Sequence, residues 1–176
     1  MKKRIFTGIV HFFMLVIVMA LLPGLTGCAG YRLGNTLPKD LKTVYVPTFI
    51  NKTDEPMVET EATKATIQEL QMDGSLEVIG QEFADSILEV TIVSIKFQPL
   101  SFQLDSRKTA NEYRLYLTAD VVFKRSKTSE ILSKRQVVGE GTFLPAGDIA
   151  SAKRLALPTV SKDLAHRIVE AVVEYW

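Results

Sequence analysis

Among 176 residues a single cysteine, Cys28, follows Leu25-Thr26-Gly27 at the end of an apolar segment. A free thiol behind small residues in that position can be converted to a thioether carrying a diacylglycerol, and the amino group freed by cleavage can then take an acyl chain. One acyl chain holds a protein to a bilayer weakly, whereas two or three hold it firmly, at ~0.8 kcal/mol per buried CH2. Cys28 is therefore expected to be the lipidated first residue of the mature chain, with the signal ahead of it removed. A buried core cysteine is the competing reading, but Gly27 and Gly30 flank this one without a strand or helix pattern.

Other residue types that do chemistry are sparse. His166 is the one histidine after the signal and sits in a helical pattern between Ala165 and Arg167. With no second histidine or cysteine there is no standard zinc set. No serine occupies a strand-to-helix elbow, Gly139-Glu140-Gly141 lacks a nucleophile, and no glycine-rich loop with lysine is present to cradle phosphate. Asp85, Glu89, Asp105 and Glu112 are read as solvated carboxylates rather than an acid/base pair. The expectation is a protein that is not an enzyme and needs no cofactor beyond the covalent lipid.

The elements around these residues set the frame. Lys2, Lys3 and Arg4 precede an uncharged run from Ile5 to Leu22, and Pro23-Gly24 break it before the cleavage site. That is a signal-peptide layout. Its length approaches the ~20 residues that span a bilayer, so an uncleaved anchor is the alternative; both place the protein at a membrane. Residues 1–27 are taken as the signal, 28–42 as lipid anchor and tether, and 43–176 as one domain. Residues 28–176 carry a net charge of −2, so no basic field points to nucleic acid. Without a second cysteine, stability must come from an apolar core.

The pattern predicts a strand from Thr43 to Phe49 with Pro47 at its edge or end. A loop over 51–55 follows, then a helix opening near Pro56, with Thr53 or Asp54 as cap, and stopping at Asp73-Gly74. Its inner face is not sharply defined: Thr63, Thr66, Ile67 and Leu70 form one stripe and Val58, Ala62, Ala65 and Met72 another. Strands are expected over 76–79, 87–97, 112–125 and 131–143. The second of these shows apolar residues on both sides and reads as a central strand covered on both faces. The third alternates, with Tyr113, Leu115, Leu117, Ala119, Val121 and Phe123 inward. Gly139 and Gly141 predict a bulge or bend in the last strand. A second helix over 150–176 repeats Leu157, Val160, Leu164, Ile168, Ala171, Val172 and Tyr175 at spacings of three and four, with Pro158 inside the pattern. The fold class is α+β: two helices on one face of a mixed four- to five-stranded sheet, in the order β-α-β-β-β-β-α.

These residues resemble the LptE family of lipopolysaccharide-assembly lipoproteins. The resemblance is carried by Cys28 with Gly30-Tyr31 and Gly34, Leu37-Pro38, the stretch Lys42 to Pro47 with Phe49, Asn51 and Thr53, and Thr63. It continues through Asp73-Gly74, Ala84-Asp85, Leu88, Thr109-Ala110, Glu112-Tyr113, Leu164-Ala165 and Trp176. Ala29 departs from the family's usual glycine after the cysteine. The resemblance implies a lipid-anchored outer-membrane protein that plugs the β-barrel LptD, assists its assembly and contacts lipopolysaccharide. Basic residues in the loop before the Glu112-Tyr113 strand and at the start of the last helix would make that contact. Here these are Arg107, Lys108, Lys153 and Arg154, which an antiparallel meander brings to one end of the sheet. Lys124-Arg125, Lys127 and Lys134-Arg135 fall at the other end and read as a solubilising hairpin edge. A lipid-anchored envelope carrier, or a structural lipoprotein serving a different partner, is the alternative.

Cys28→Ser is expected to leave the precursor unlipidated and full length. Wild-type processing that is insensitive to globomycin would contradict the reading of Cys28.

Overall fold

Strict alternation along 115–123 buries Leu115, Leu117, Ala119, Val121 and Phe123 and leaves the residues between them half exposed. This strand, β5, is the axis on which the sheet is built. The computed structural model describes residues 37–38, 40–103, 106–144 and 148–173, the side chains of 101–111, 149 and 150 excepted. Contacts divide the chain into Met1–Gly34 and Asn35–Trp176. The expected signal, Cys28 and most of the tether lie outside the described residues, as do Tyr175 and Trp176.

The elements run β1 Thr43–Tyr45, β2 Ile50–Asn51, α1 Val58–Asp73, β3 Glu77–Val78, β4 Ser86–Gln103, β5 Ser106–Arg125, β6 Ile131–Phe143 and α2 Ile149–Val173. The sheet order is β3-β1-β4-β5-β6, with β2 also against β4. β1, β2 and β3 pair in parallel and β4-β5-β6 form an antiparallel meander. The class is the expected α+β, with a mixed sheet and two helices among the described residues. The sheet of the described residues has six strands rather than four or five, because the strand expected over 43–49 ends at Tyr45 and a second short piece, β2, follows at Ile50–Asn51, both laid along β4. Pro47, which has no N–H to give the ladder, lies in the interruption, and Asn51 is paired rather than in a loop.

Among the described residues only one face of the sheet is covered by helices, which corrects the expectation for β4. A register shift between Ile92 and Ser94 inserts Val93 as an extra residue. Before it Leu88, Val90 and Ile92 oppose Phe123, Val121 and Ala119; after it Ile95 and Phe97 oppose Leu117 and Leu115. The bulge changes the strand's parity, so all five apolar residues point to the same side.

The expected bulge in β6 is absent at its glycines. Gly139 and Gly141 both face α2, and a Cβ on Gly139 would stand 2.6 Å from Leu164 Cα, on Gly141 2.8 Å from Val160 Cγ2. Their role is close approach. The helix buries Leu157, Val160, Leu164, Ile168 and Val172 against the sheet, each contributing roughly 1.5–3 kcal/mol. Asp163 then reaches over the edge strand, its carboxylate accepting the Glu140 N–H at 2.8 Å. Asp148 caps the helix by accepting the Ser151 N–H at 2.9 Å. α2 continues through Pro158, whose ring faces outward and whose missing N–H leaves one intrahelical bond unmade.

α1 buries Val58, Ala62, Thr66 and Leu70, a stripe at i+4 spacing that mixes the two expected ones. It ends as expected: Gly74 is left-handed and donates its N–H to Leu70 O at 3.0 Å. Its start is different. The residue before the helix is Met57, left-handed at φ 66°, with no side-chain cap. Thr53 is instead held in a turn, its N–H and hydroxyl both given to Asn51 Oδ1 at 2.8 Å.

β1 is fastened by Asp85. Its carboxylate accepts the Thr43 hydroxyl at 2.9 Å and the Lys42 and Thr43 amides at 3.2 Å, while its own N–H goes to Thr43 Oγ1 at 2.9 Å. The Thr43 hydroxyl first, then the Lys42 amide, hold the Asp85 carboxyl below the usual carboxylate range.

Gly139→Ala is expected to lower stability by roughly 1–3 kcal/mol, because helix backbone must retreat. Gly141→Ala should cost less, since only the tip of Val160 must move. Urea unfolding midpoints measure both, and an unchanged midpoint for Gly139→Ala would contradict the close-approach role.

Candidate functional site

Strands β4, β5 and β6 end unevenly. The last rung joining β5 to β6 is Tyr113 with Phe143, but β4 and β5 go on pairing to Gln103 with Ser106. The stretch expected as a loop over 98–111 is therefore mostly a two-stranded hairpin that overhangs the sheet. Three register shifts beyond Pro99 mark it as irregular.

At the foot of the overhang lies an aromatic cluster. Tyr113 stacks on Phe143 at 5.6 Å, and Phe97 meets Phe143 edge-on at 6.3 Å. Lys153, in the first turns of α2, places Nζ 3.9 Å above the Phe97 ring. A cation held against a ring face is fixed in position while its outer side stays open to anions. Arg154, one residue on, is exposed and gives Nη2–H to Ser151 Oγ at 3.2 Å. It borders an open groove of about 530 Å³ lined also by Pro56, Met57, Leu157, Pro158, Glu55 and Glu61. Met57 and Leu155 are both largely exposed nearby, as is Leu144 after β6.

Arg107 and Lys108 sit on the overhang, in the first residues of β5, and their side chains lie outside the described residues. Arg107 precedes Leu115, the rung partner of Phe97, by eight residues. That is ~26 Å along a strand at ~3.3 Å per residue. The four basic residues thus share one end of the sheet, with Lys153 and Arg154 at its foot and Arg107 and Lys108 toward its tip. What sequence reasoning missed here is the aromatic seat of Lys153; the signal was present in Phe97, Tyr113 and Phe143, but their meeting depends on register.

Other chemistry-bearing residues are occupied locally. Glu89 pairs with Lys124 at 2.7 Å. Arg125 pairs with Asp40 and with Glu130. Glu112 pairs in the ladder with Ser101 at the far end of the strands from Asp85, and Asp105 lies outside the described residues. Among the described residues no three His, Cys, Asp or Glu side chains form a metal-ligand group, and no helix is long and apolar enough to cross a membrane. The helix-free face of the sheet carries half-exposed Arg114, Tyr116, Thr118 and Asp120 on β5. Arg114 lies 3.8 Å from Glu140, and Gln136 donates to Asp120 at 2.8 Å.

His166 bridges the helices, Nδ1 lying 3.0 Å from Glu69 Oε1. The hydrogen bond with Glu69 raises its pKa above the ordinary histidine value. A raised pKa means the bridge stabilises fully below the unfolded value and is lost as pH climbs through the folded one. The His166 ring is largely exposed, so the effect on stability is small.

Comparison with known proteins supplies a family and a set of folds. The family model described as lipopolysaccharide-assembly, LptE, matches residues 41–172. No curated protein matches the chain significantly in sequence. Among solved structures, the PelC dodecamer of Paraburkholderia phytofirmans is 14% identical with a TM-score of 0.50, covering 80% of this chain and 94% of that one. A protein from Xanthomonas campestris is 10% identical at TM-score 0.50, covering 81% and 90%. Uncharacterized lipoprotein B of Nitrosomonas europaea is 15% identical at TM-score 0.47, covering 81% and 92%. For the first two, at these identities, the likeness concerns the fold alone.

The proton-resonance titration of His166 is expected to show a midpoint above that of an unstructured histidine peptide, and Glu69→Gln should bring it down. An unmoved midpoint would mean the bridge does not form in solution.

Proposed function

Because the chain belongs to the LptE family, a non-catalytic lipoprotein family of lipopolysaccharide assembly, we propose that it is an outer-membrane lipoprotein acylated on Cys28. In this reading it seats in an LptD-type β-barrel, assists its assembly, and contacts lipopolysaccharide during transport to the surface. The observation that carries the reading is the overhanging β4–β5 hairpin with a cationic foot. Two strands alone are marginally stable in water, so a hairpin extending past the last rung of β6 gains from a partner that walls it in. A barrel lumen is such a wall.

The helix-free sheet face supports the same reading. It is half exposed and lined by Arg114, Tyr116, Thr118 and Asp120, a mixed polar surface suited to the polar interior of a barrel. Phosphate groups of lipopolysaccharide favour charge-assisted bonds from lysine and arginine. Lys153, braced by Phe97, and Arg154, on a groove lined by Pro56, Met57, Leu157 and Pro158 as well as Glu55 and Glu61, offer a fixed cation next to a partly apolar surface. Arg107 and Lys108 would extend the contact along the hairpin.

Purification of the tagged full-length chain from membranes is expected to recover a large β-barrel. Bound lipid without a barrel would favour a carrier, and neither would favour a structural envelope lipoprotein. For the ligand contact, Lys153→Glu with Arg154→Glu, and separately Arg107→Glu with Lys108→Glu, are each expected to weaken lipopolysaccharide binding about tenfold or more. That corresponds to ~1.4 kcal/mol. Binding that is unchanged in both double variants would remove the proposed contact.

A further inference from the structure

β6 is the last strand of the sheet, and among the described residues it has a neighbouring strand on one side only. In an antiparallel ladder the N–H and C=O of successive residues point alternately toward the partner strand and away from it. The hydrogen bond from Glu140 N–H to the Asp163 carboxylate identifies the set that points away. Register with β5 is unbroken from Phe143 to Ser133, so Lys134, Gln136 and Val138 turn their backbone groups outward as Glu140 does. Asp163 closes that row at one end, and the register shift between Phe123 and Lys124 closes it at the other. Between them residues 134–138 form an edge of about 17 Å at ~3.4 Å per residue, the length of an ordinary strand.

α2 overhangs this edge. A Cβ on Gly141 would meet Val160 and one on Gly139 would meet Leu164, so the helix runs opposite to β6. Further along it Arg167, Glu170 and Ala171 line, with residues 135–138, an open slot of about 440 Å³. Side chains of the edge sort by parity. Arg135 and Val137 stand on the helix side with buried Ser133 and Gly139. Lys134, Gln136 and Val138 stand on the helix-free side, all exposed, Val138 at 46%.

The charges select the neighbour. Exposed Arg135 and Arg167 flank the slot and exposed Lys134 lies on its other face, while Glu170, 3.7 Å from Arg167, is the acidic lining residue. A two-fold pairing of two copies would gather these cations with their own counterparts, and lysine or arginine on an edge is a common guard against that. A strand bearing carboxylates on its helix side meets them instead as opposite cross-strand charges. The chain supplies a small instance itself, since a carboxylate, that of Asp163, occupies the outward Glu140 N–H at 2.8 Å. A closed barrel wall has no edge to offer, so the occupant is an extended segment outside such a ladder.

We infer that the outer edge of β6 over 134–138 is a docking site for an extended acidic segment of another polypeptide, which adds a strand to the sheet beside the flank of α2. Main-chain bonds to Lys134, Gln136 and Val138 set its register, Arg135 and Arg167 meet its carboxylates, and Val138 packs on an apolar side chain of its opposite face. The inference rests on sheet register and edge charge, and not on acylation of Cys28, on the barrel or on lipopolysaccharide contact.

The test uses the full chain in detergent micelles and, as probe, a capped peptide of about eight residues in which glutamate alternates with valine and threonine. Saturating peptide is expected to slow amide exchange at Lys134, Gln136 and Val138 by about tenfold or more, while Arg135 and Val137, which face β5, stay as they were. The same peptide N-methylated along its central residues, and one with lysine in place of glutamate, should each bind about tenfold more weakly, since one loses the rungs and the other the charge match. Val138→Pro removes an outward N–H and leaves the β5 ladder intact. It should weaken binding where Val138→Thr does not, with urea midpoints checking that both fold; if the proline variant does not, the N-methylated peptide on the unaltered chain decides. A glutamate peptide that does not bind, that is matched by its N-methylated or lysine counterpart, or that leaves the three outward amides exchanging as before overturns the inference. So does protection of those amides that grows with protein concentration in the chain alone, which would assign the edge to a second copy. None of these outcomes bears on the barrel, the lipid or lipopolysaccharide.

Discussion

Burial on one face alone is the constraint from which the rest follows. A sheet with helices on one side must deliver its apolar residues to that side, strand after strand. β5 does so by plain alternation. β4 does so only because Val93 is inserted between two runs of opposite parity, so that Leu88 and Phe97 end on the same surface. On the helix side the matching demand is proximity. Gly139 and Gly141 remove the two Cβ atoms that would hold α2 away at Leu164 and Val160, and the same approach lets Asp163 occupy an N–H of the edge strand.

Much of this was legible in the chain. Alternation in β5, the three-and-four spacing in α2, the Asp73-Gly74 stop and the order of elements follow from local periodicity and turn chemistry. The bulge was not, because apolar residues on both sides of a strand look the same whether two faces are covered or one residue is extra. Nor was the function of the β6 glycines, since a bend and a close approach both call for a missing side chain, and only the helix overhead distinguishes them. The start of α1 was misplaced because Asn51 takes the Thr53 groups that would otherwise have capped it, a competition settled by β2 pairing with β4.

The proposed site residues divide in the same way. The expectation for Cys28 rests on local spacing alone. The basic residues depend on register over long separations. Lys153 meets Phe97 from 56 positions away, and the hairpin that carries Arg107 and Lys108 is strand where a loop was expected between the strands over 87–97 and 112–125. Family membership organises these facts, while the fold likeness to PelC shows only that the architecture recurs at 14% identity.

The fastening of β1 by Asp85 has a mechanical side. β1 enters the sheet along its own axis, led in by Leu41 and Lys42, and is flanked by parallel partners, β3 and β4. Tension applied along the axis of β1 through these preceding residues therefore loads the short ladder in shear, so that its rungs and the Thr43 hydrogen bonds share the force instead of opening one after another.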